Sequence, residues 1–204
     1  MRLYFIRHGE SEANRLQVIS NRGDRYSLTA KGQQQARTLA ENLKPFPLST
    51  IFTSPLRRAI ETAEILSDEL GEPYQITDAL REYDCGILEG KSDQESWRLH
   101  REIAQDWVVQ QNWQRKLDGG ESFLEIKNRF VPFIERLTEA EFRSDNHILL
   151  VGHGGIFQLM LPLLLTNIDR HFVTEHGICH TDCIITEPQP DGFRCLQWGE
   201  IRLV

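Results

Sequence analysis

Far apart in the sequence, two short apolar runs lead straight into a histidine followed by glycine. Residues 3–6 run into Arg7-His8-Gly9, and residues 147–151 run into Gly152-His153-Gly154-Gly155. Short apolar runs bounded by such turn formers suit buried strands. Between them, helical and extended patterns alternate. Residues 29–43 carry Ala36, Leu39, Ala40 and Leu43 at helical spacing, with Thr29 as the expected N-cap and Pro45 and Pro47 ending the segment. Residues 50–53 read as a strand, 55–70 as a helix with Pro55 in its first turn and Gly71 as its stop, and 74–77 as a third strand. Residues 92–113 are polar and favour helix. Along 121–142, Phe123, Ile126, Phe130, Phe133, Ile134 and Leu137 mark one face, and Pro132 is expected to kink or break the helix. A helix should open after His153, and residues 178–186 and 193–198 read as a closing pair of strands. The alternation predicts an α/β three-layer sandwich, with a mostly parallel central sheet flanked by helices and a helical cap segment at about 91–118. With 204 residues and no repeat or linker, one domain over 1–204 is expected.

In such sheets ligands gather at the carboxyl ends of the strands, so His8 and His153 are expected at one edge. A third feature, Ser54-Pro55-Leu56-Arg57-Arg58, follows the second strand and sets an arginine pair at a helix N-terminus. That end already attracts anions through its free N–H groups, so cations there are unfavourable unless an anion joins them. A fourth, residues 80–90, supplies carboxylates in the turn after the third strand. Each piece alone has a plainer reading: a loop histidine, a tight glycine turn, a solvated basic face, a surface loop.

Taken in order, RHG near the N-terminus, SPLxRAxxTA, LxExxxGxxEG, GGES and a late GHGG resemble the histidine phosphatase superfamily, in its phosphoglycerate mutase-like branch of small phosphatases. The resemblance runs from Arg7 to the strand after His180. It implies that His8 is the nucleophile, that Arg7, Arg58 and His153 bind the phosphoryl group with Gly154 beside them, and that Asn14 lies at the pocket's rim. Arg58, rather than Arg57, matches the motif's arginine. Glu82 matches the proton donor, and Glu121 and Ser122 stand as supporting residues. Two stretches depart from the pattern: Asn21-Arg22-Gly23-Asp24-Arg25 replaces the usual Gly-x-x-Asp turn, and His180-Thr181-Asp182 stands where Asn or Ser is common. His180 receives no role from the sequence.

The residue types suit the chemistry. An imidazole attacks phosphorus only when neutral, so His8 should hold its other N–H on a backbone carbonyl. Arginines and a donating His153 would neutralise the phosphoryl oxygens without a metal or any other cofactor. Glu82 would protonate the leaving oxygen and later deprotonate water. The expected activity is hydrolysis of a small phosphorylated metabolite through a phosphohistidine. Two alternatives share these motifs: a cofactor-dependent phosphoglycerate mutase, and a catalytically silent phospho-ligand binder, which would need the arginines but not Glu82.

Composition narrows the partners. A net charge of −7 argues against a nucleic-acid or anionic-membrane surface, although clustered arginines can still dominate one cleft. The longest apolar stretch, residues 156–165, is interrupted by Gln158 and Pro162, and a cytoplasmic location is the default expectation. Cys85, Cys179, Cys183 and Cys195 form no CxxC pair and read as thiols in a reducing compartment. In the cap, Arg22, Arg98, Arg101 and Trp97 are candidate rim residues for a small-molecule substrate. Arg115-Lys116 is better read as a solvated face, and Trp97, Trp107 and Trp113 first of all as packing anchors. A homodimer through the closing strands is compatible with the pattern.

Overall fold

The computed structural model describes residues 1–141 and 146–203; the side chains of residues 140 and 141 are also left aside. The central sheet has seven strands: β1 (Arg2–Arg7), β2 (Leu48–Thr53), β3 (Tyr74–Ile76), β4 (His147–Gly152), β5 (Cys183–Gln189), β6 (Gly192–Trp198) and β7 (Ile201–Arg202), in the order β3-β2-β4-β1-β5-β6-β7. The first four in that order run parallel, and β5, β6 and β7 join antiparallel.

Residue alternation along β1 builds the layers. Leu3 and Phe5 face a core shared with α4 (Gln94–Val108), α5 (Phe123–Glu141), α6 (Gly154–Met160) and α7 (Arg170–His176). Tyr4 and Ile6 face the opposite core, against α2 (Ala30–Leu43) and α3 (Arg57–Leu70). A period of two thus places helices on both faces of a central strand.

Several elements differ from the sequence expectation. A short helix, α1 (Glu12–Leu16), follows β1; Ser11 and Asn14 form a capping box that starts it. The third helix begins at Arg57 rather than Pro55, because the Ser54 hydroxyl accepts the Leu56 N–H and holds the turn open. The cap helix ends at Val108, where the chain turns so that the Trp107 indole donates to the Arg115 carbonyl. Helix α5 passes through Pro132 without a break, held by Ile126, Phe130 and Ile134, which are fully buried; residue 142 of the expected span lies outside the described residues. Residues 178–182 are a turn rather than the start of a strand: Thr181 has φ 60° and donates its N–H to the Arg7 carbonyl, while Asp182 accepts the Cys179 N–H.

Candidate active site

Strand register brings the two histidines together. Arg7 pairs with Gly152 across β1 and β4, and the His8 N–H donates to the Gly152 carbonyl at 3.0 Å. The next residue of each strand is therefore a histidine leaving the same sheet edge. Their rings lie edge to face, 5.0 Å between centroids, and both are buried. On the neighbouring strand the Ser54 N–H donates to the Val151 carbonyl, which sets Ser54 and the start of α3 beside His153.

His8 is fixed at both nitrogens. Its Nδ1 sits 2.7 Å from the Gly9 carbonyl, which can only accept, so Nδ1 carries the proton. Nε2 accepts from Arg58 Nε at 3.0 Å. The ring is therefore neutral, as the chemistry required, and burial together with Arg58 and Arg7 pushes its pKa well below the ordinary histidine value. Gly9 is needed here because the first turn of α2 lies against it: a Cβ at Gly9 would stand 2.5 Å from the Gly32 carbonyl oxygen.

His153 meets a different environment. Its Nε2 is 2.7 Å from the Ser54 hydroxyl, and its Nδ1 is buried with no hydrogen-bond partner among the described residues. Ser54 Oγ already accepts from the Leu56 N–H, so the hydroxyl is free to donate to Nε2 and leave Nδ1–H as a donor. Burial and the nearby Arg58 hold this histidine neutral as well.

The arginines divide as the motif implied. Arg58 turns inward and is buried, its pKa lowered to about 10 by burial, while Arg57 turns out to pair with Glu61 at 2.7 Å. Arg7 donates from Nη1 to the Ile178 carbonyl at 2.6 Å and from Nη2 to His180 Nε2 at 3.2 Å; its Nε is buried without a partner. Two unpartnered buried polar atoms, Arg7 Nε and His153 Nδ1, thus belong to one site, and buried polar groups ordinarily have partners. The donor set suits an anion.

Glu82 closes the other wall. Its two oxygens accept from the Tyr83 and Gly155 N–H groups at 3.1 and 2.9 Å. Only glycine fits at 155, since a Cβ there would lie 2.8 Å from the carboxylate. Burial raises the Glu82 pKa above the usual carboxylate range, against the pull of those hydrogen bonds and of Arg58. Glu121 supports this turn by accepting the Asp84 N–H while paired with Arg81 and Arg129, and Ser122 caps α5 by accepting the Glu125 N–H.

Arg7, His8, Arg58 and Glu82 line a cleft of about 240 Å³ that also takes in Asn14, Gly154 and Trp97, whereas His153 packs against the His8 ring and is not part of the cleft's lining. Asn14 spends its Oδ1 on Ser11. Of the other rim candidates, Arg101 lines a neighbouring outer cavity, whereas Arg98 is held by Glu95 and Glu102 and Arg22 by Asp84 and the Gly119 carbonyl; neither of these two lines the cleft. The tryptophans also separate: Trp107 is buried, Trp113 is exposed and stacks on Phe123, and Trp97 lines the cleft.

The sequence reading missed Asn21, His100 and His180. Asn21 is buried on the cleft wall and donates to the Tyr83 carbonyl and Cys85 Sγ. His100 faces the cleft from α4 and pairs with the Tyr83 hydroxyl at 3.0 Å. His180 touches Arg7 and lies 6.0 Å from the His8 ring. Cys85, Cys183 and Cys195 are buried free thiols and Cys179 is exposed. Among the described residues no three His, Cys, Asp or Glu side chains gather as a metal site, and no helix is long and apolar enough to cross a membrane.

Residues 3–201 match the model of the histidine phosphatase superfamily, branch 1. The chain is 32% identical to the adenosylcobalamin/alpha-ribazole phosphatase of Salmonella typhimurium over 87% of each chain. It is 28% identical to a 2,3-bisphosphoglycerate-dependent phosphoglycerate mutase of Cytophaga hutchinsonii, over 92% of this chain and 85% of that one. Among solved structures, Bacillus stearothermophilus YhfR superposes with a TM-score of 0.82 at 27% identity, covering 98% of this chain and 97% of that one. With the paired histidines, the inward arginine and the raised carboxyl already in place, the family match settles that this chain belongs to branch 1 of the histidine phosphatase superfamily.

Proposed function

We propose that the protein hydrolyses a phosphomonoester by way of a phosphohistidine at His8. The observation that carries this reading is the pair of hydrogen bonds on the His8 ring: a proton committed to the Gly9 carbonyl and an Nε2 lone pair aimed at the Arg58 guanidinium, where a phosphoryl group would sit.

In the first half-reaction the phosphoryl oxygens take the donors of Arg58, Arg7 and His153 Nδ1. Nε2 of His8 attacks phosphorus, the ester P–O bond breaks, and Glu82 gives its proton to the leaving alkoxide. In the second, a water oxygen attacks the same phosphorus, Glu82 takes the water proton, and the P–N bond breaks to return neutral His8. Glu82 must begin protonated, which its raised pKa favours. The buried guanidinium groups supply the charge neutralisation that a divalent cation supplies in other phosphoryl-transfer enzymes.

The presence of Glu82 favours catalysis over silent binding. The phosphoglycerate mutase reading is supported by the relative of that name. Hydrolysis is favoured over it because the cleft continues into an outer cavity, which gives water a path to the intermediate. The test is phosphate release from phenyl phosphate and a panel of phosphorylated metabolites with EDTA present. Release undiminished by EDTA is expected. Activity lost to EDTA and restored by a divalent metal would defeat the metal-free mechanism. Bisphosphoglycerate-dependent interconversion of phosphoglycerates, faster than hydrolysis of any panel member, would favour the mutase.

A further inference from the structure

We propose that the outer cavity is a leaving-group site for a phosphomonoester whose alcohol carries a flat ring and, beyond it, a second acidic group. This deepens the phosphomonoesterase reading and rests on it. The inner cleft continues past Asn14 and Trp97, which line both spaces, into a cavity of about 720 Å³. A cleft holding only a phosphoryl group and a short alcohol has no use for that volume, whereas bulky ligands fill pockets of several hundred Å³.

Trp97 is a fixed wall. Its indole N–H donates to the Gln17 carbonyl at 2.8 Å, and His100 packs against it with 5.1 Å between ring centroids. Arg101 follows one turn later on α4 and is exposed. It makes no ion pair or hydrogen bond among the described residues, in contrast to Arg98, which two glutamates hold. An uncommitted guanidinium in a chain of net charge −7, lining a cavity that opens onto a phosphate clamp, suits a second anion. Arg101 lines the outer cavity and not the inner cleft, which sets the second anion outside the space that holds the phosphoryl group. Gln17, Ser92 and Gln94 add neutral hydrogen-bonding groups around it.

The experiment compares three probes: phenyl phosphate, biphenyl-4-yl phosphate and its 4′-carboxy derivative. Wild type should favour the carboxylated biphenyl over the plain one by about tenfold in kcat/KM, mainly through KM, as one tenfold step corresponds to about 1.4 kcal/mol. Arg101→Gln should bring the ratio near one, and Arg101→Lys should retain part of it. Equal kcat/KM for the two biphenyls in wild type, or a ratio unchanged in Arg101→Gln, would overturn the proposal. Failure to hydrolyse even phenyl phosphate would instead count against the phosphomonoesterase reading.

A separate observation carries a second inference: we infer that His180 is a positioning residue for Arg7. A guanidinium can only donate, so the contact at 3.2 Å requires an unprotonated Nε2 on His180. Together with the Ile178 carbonyl it anchors both terminal nitrogens of Arg7 and leaves the buried Nε to face the anion. His180→Ala should weaken competitive inhibition by inorganic phosphate and raise KM about tenfold, with kcat changed less. His180→Gln, which restores an acceptor, should recover most of the loss. Equal behaviour of the Ala and Gln variants, or unchanged phosphate inhibition in both, would refute the role.

Discussion

The junctions after β1 and β4 share one local pattern, an apolar strand running into histidine and glycine, yet they give two chemically different imidazoles. After β1, the Gly9 carbonyl accepts from Nδ1 of His8 and Arg58 faces the Nε2 lone pair, so this ring presents an unprotonated Nε2. After β4, Ser54 engages Nε2 of His153 and no group among the described residues engages Nδ1, so that ring presents an unpartnered Nδ1. Burial keeps both neutral. What separates the two rings is therefore not the motif but the neighbour at each ring nitrogen: Gly9 beside β1 and Arg58 of α3 for His8, and Ser54 just after β2 for His153.

The largest effect should fall on the β1 side. His8→Ala should reduce kcat by about 10⁴-fold or more, because the covalent path is removed rather than slowed; steady-state hydrolysis of phenyl phosphate measures it. Next comes Glu82, the carboxyl proposed to protonate the leaving group. Glu82→Gln should cost about 10²–10⁴-fold in kcat/KM for alkyl esters. Its raised pKa fixes the sign of a pH dependence: the first step needs the protonated form, so wild-type kcat/KM falls as pH rises through that pKa, and this alkaline limb should vanish in the variant. A limb that persists in Glu82→Gln would assign the proton to another group.

On the β4 side the losses should be smaller. His153→Ala removes one donor to the phosphoryl oxygens and should lower kcat about 10²-fold while leaving a phosphoenzyme detectable. Ser54→Ala removes a hydroxyl that engages both His153 Nε2 and the Leu56 N–H, and roughly tenfold is expected, in line with the loss of neutral hydrogen bonds. An effect of Ser54→Ala as large as that of His8→Ala would dissolve the contrast between the two junctions.

The same contrast explains what could be read from the sequence. His8, His153 and Arg58 could be singled out because each stands at the end of a strand or the start of a helix, where pattern and topology fix position, whereas Glu82, in a turn past β3, was singled out by the motif resemblance alone. Six of the sheet's seven strands and most of its flanking helices followed from the same alternation, while β7, α1 and α7 did not. His180 was not legible, since its place depends on a left-handed Thr181 and a turn pinned to the end of β1. Asn21 and His100 reach the cleft through contacts with Tyr83 that no local spacing announces. For Arg98 the signal was present: Glu95 and Glu102 stand three residues before and four after it, which marks a self-paired helix face, and Arg101 lacks such neighbours. The Ser11-x-x-Asn14 cap of α1 could have been read in the same way.

The most direct test of the account is to locate the phosphoryl group during turnover. Enzyme mixed with a ³²P-labelled ester, quenched in alkali and digested, should yield one base-stable, acid-labile labelled peptide carrying residue 8. Wild-type label on residue 153, or label undiminished in His8→Ala, would contradict the assignment of nucleophile and donor to the two strand ends.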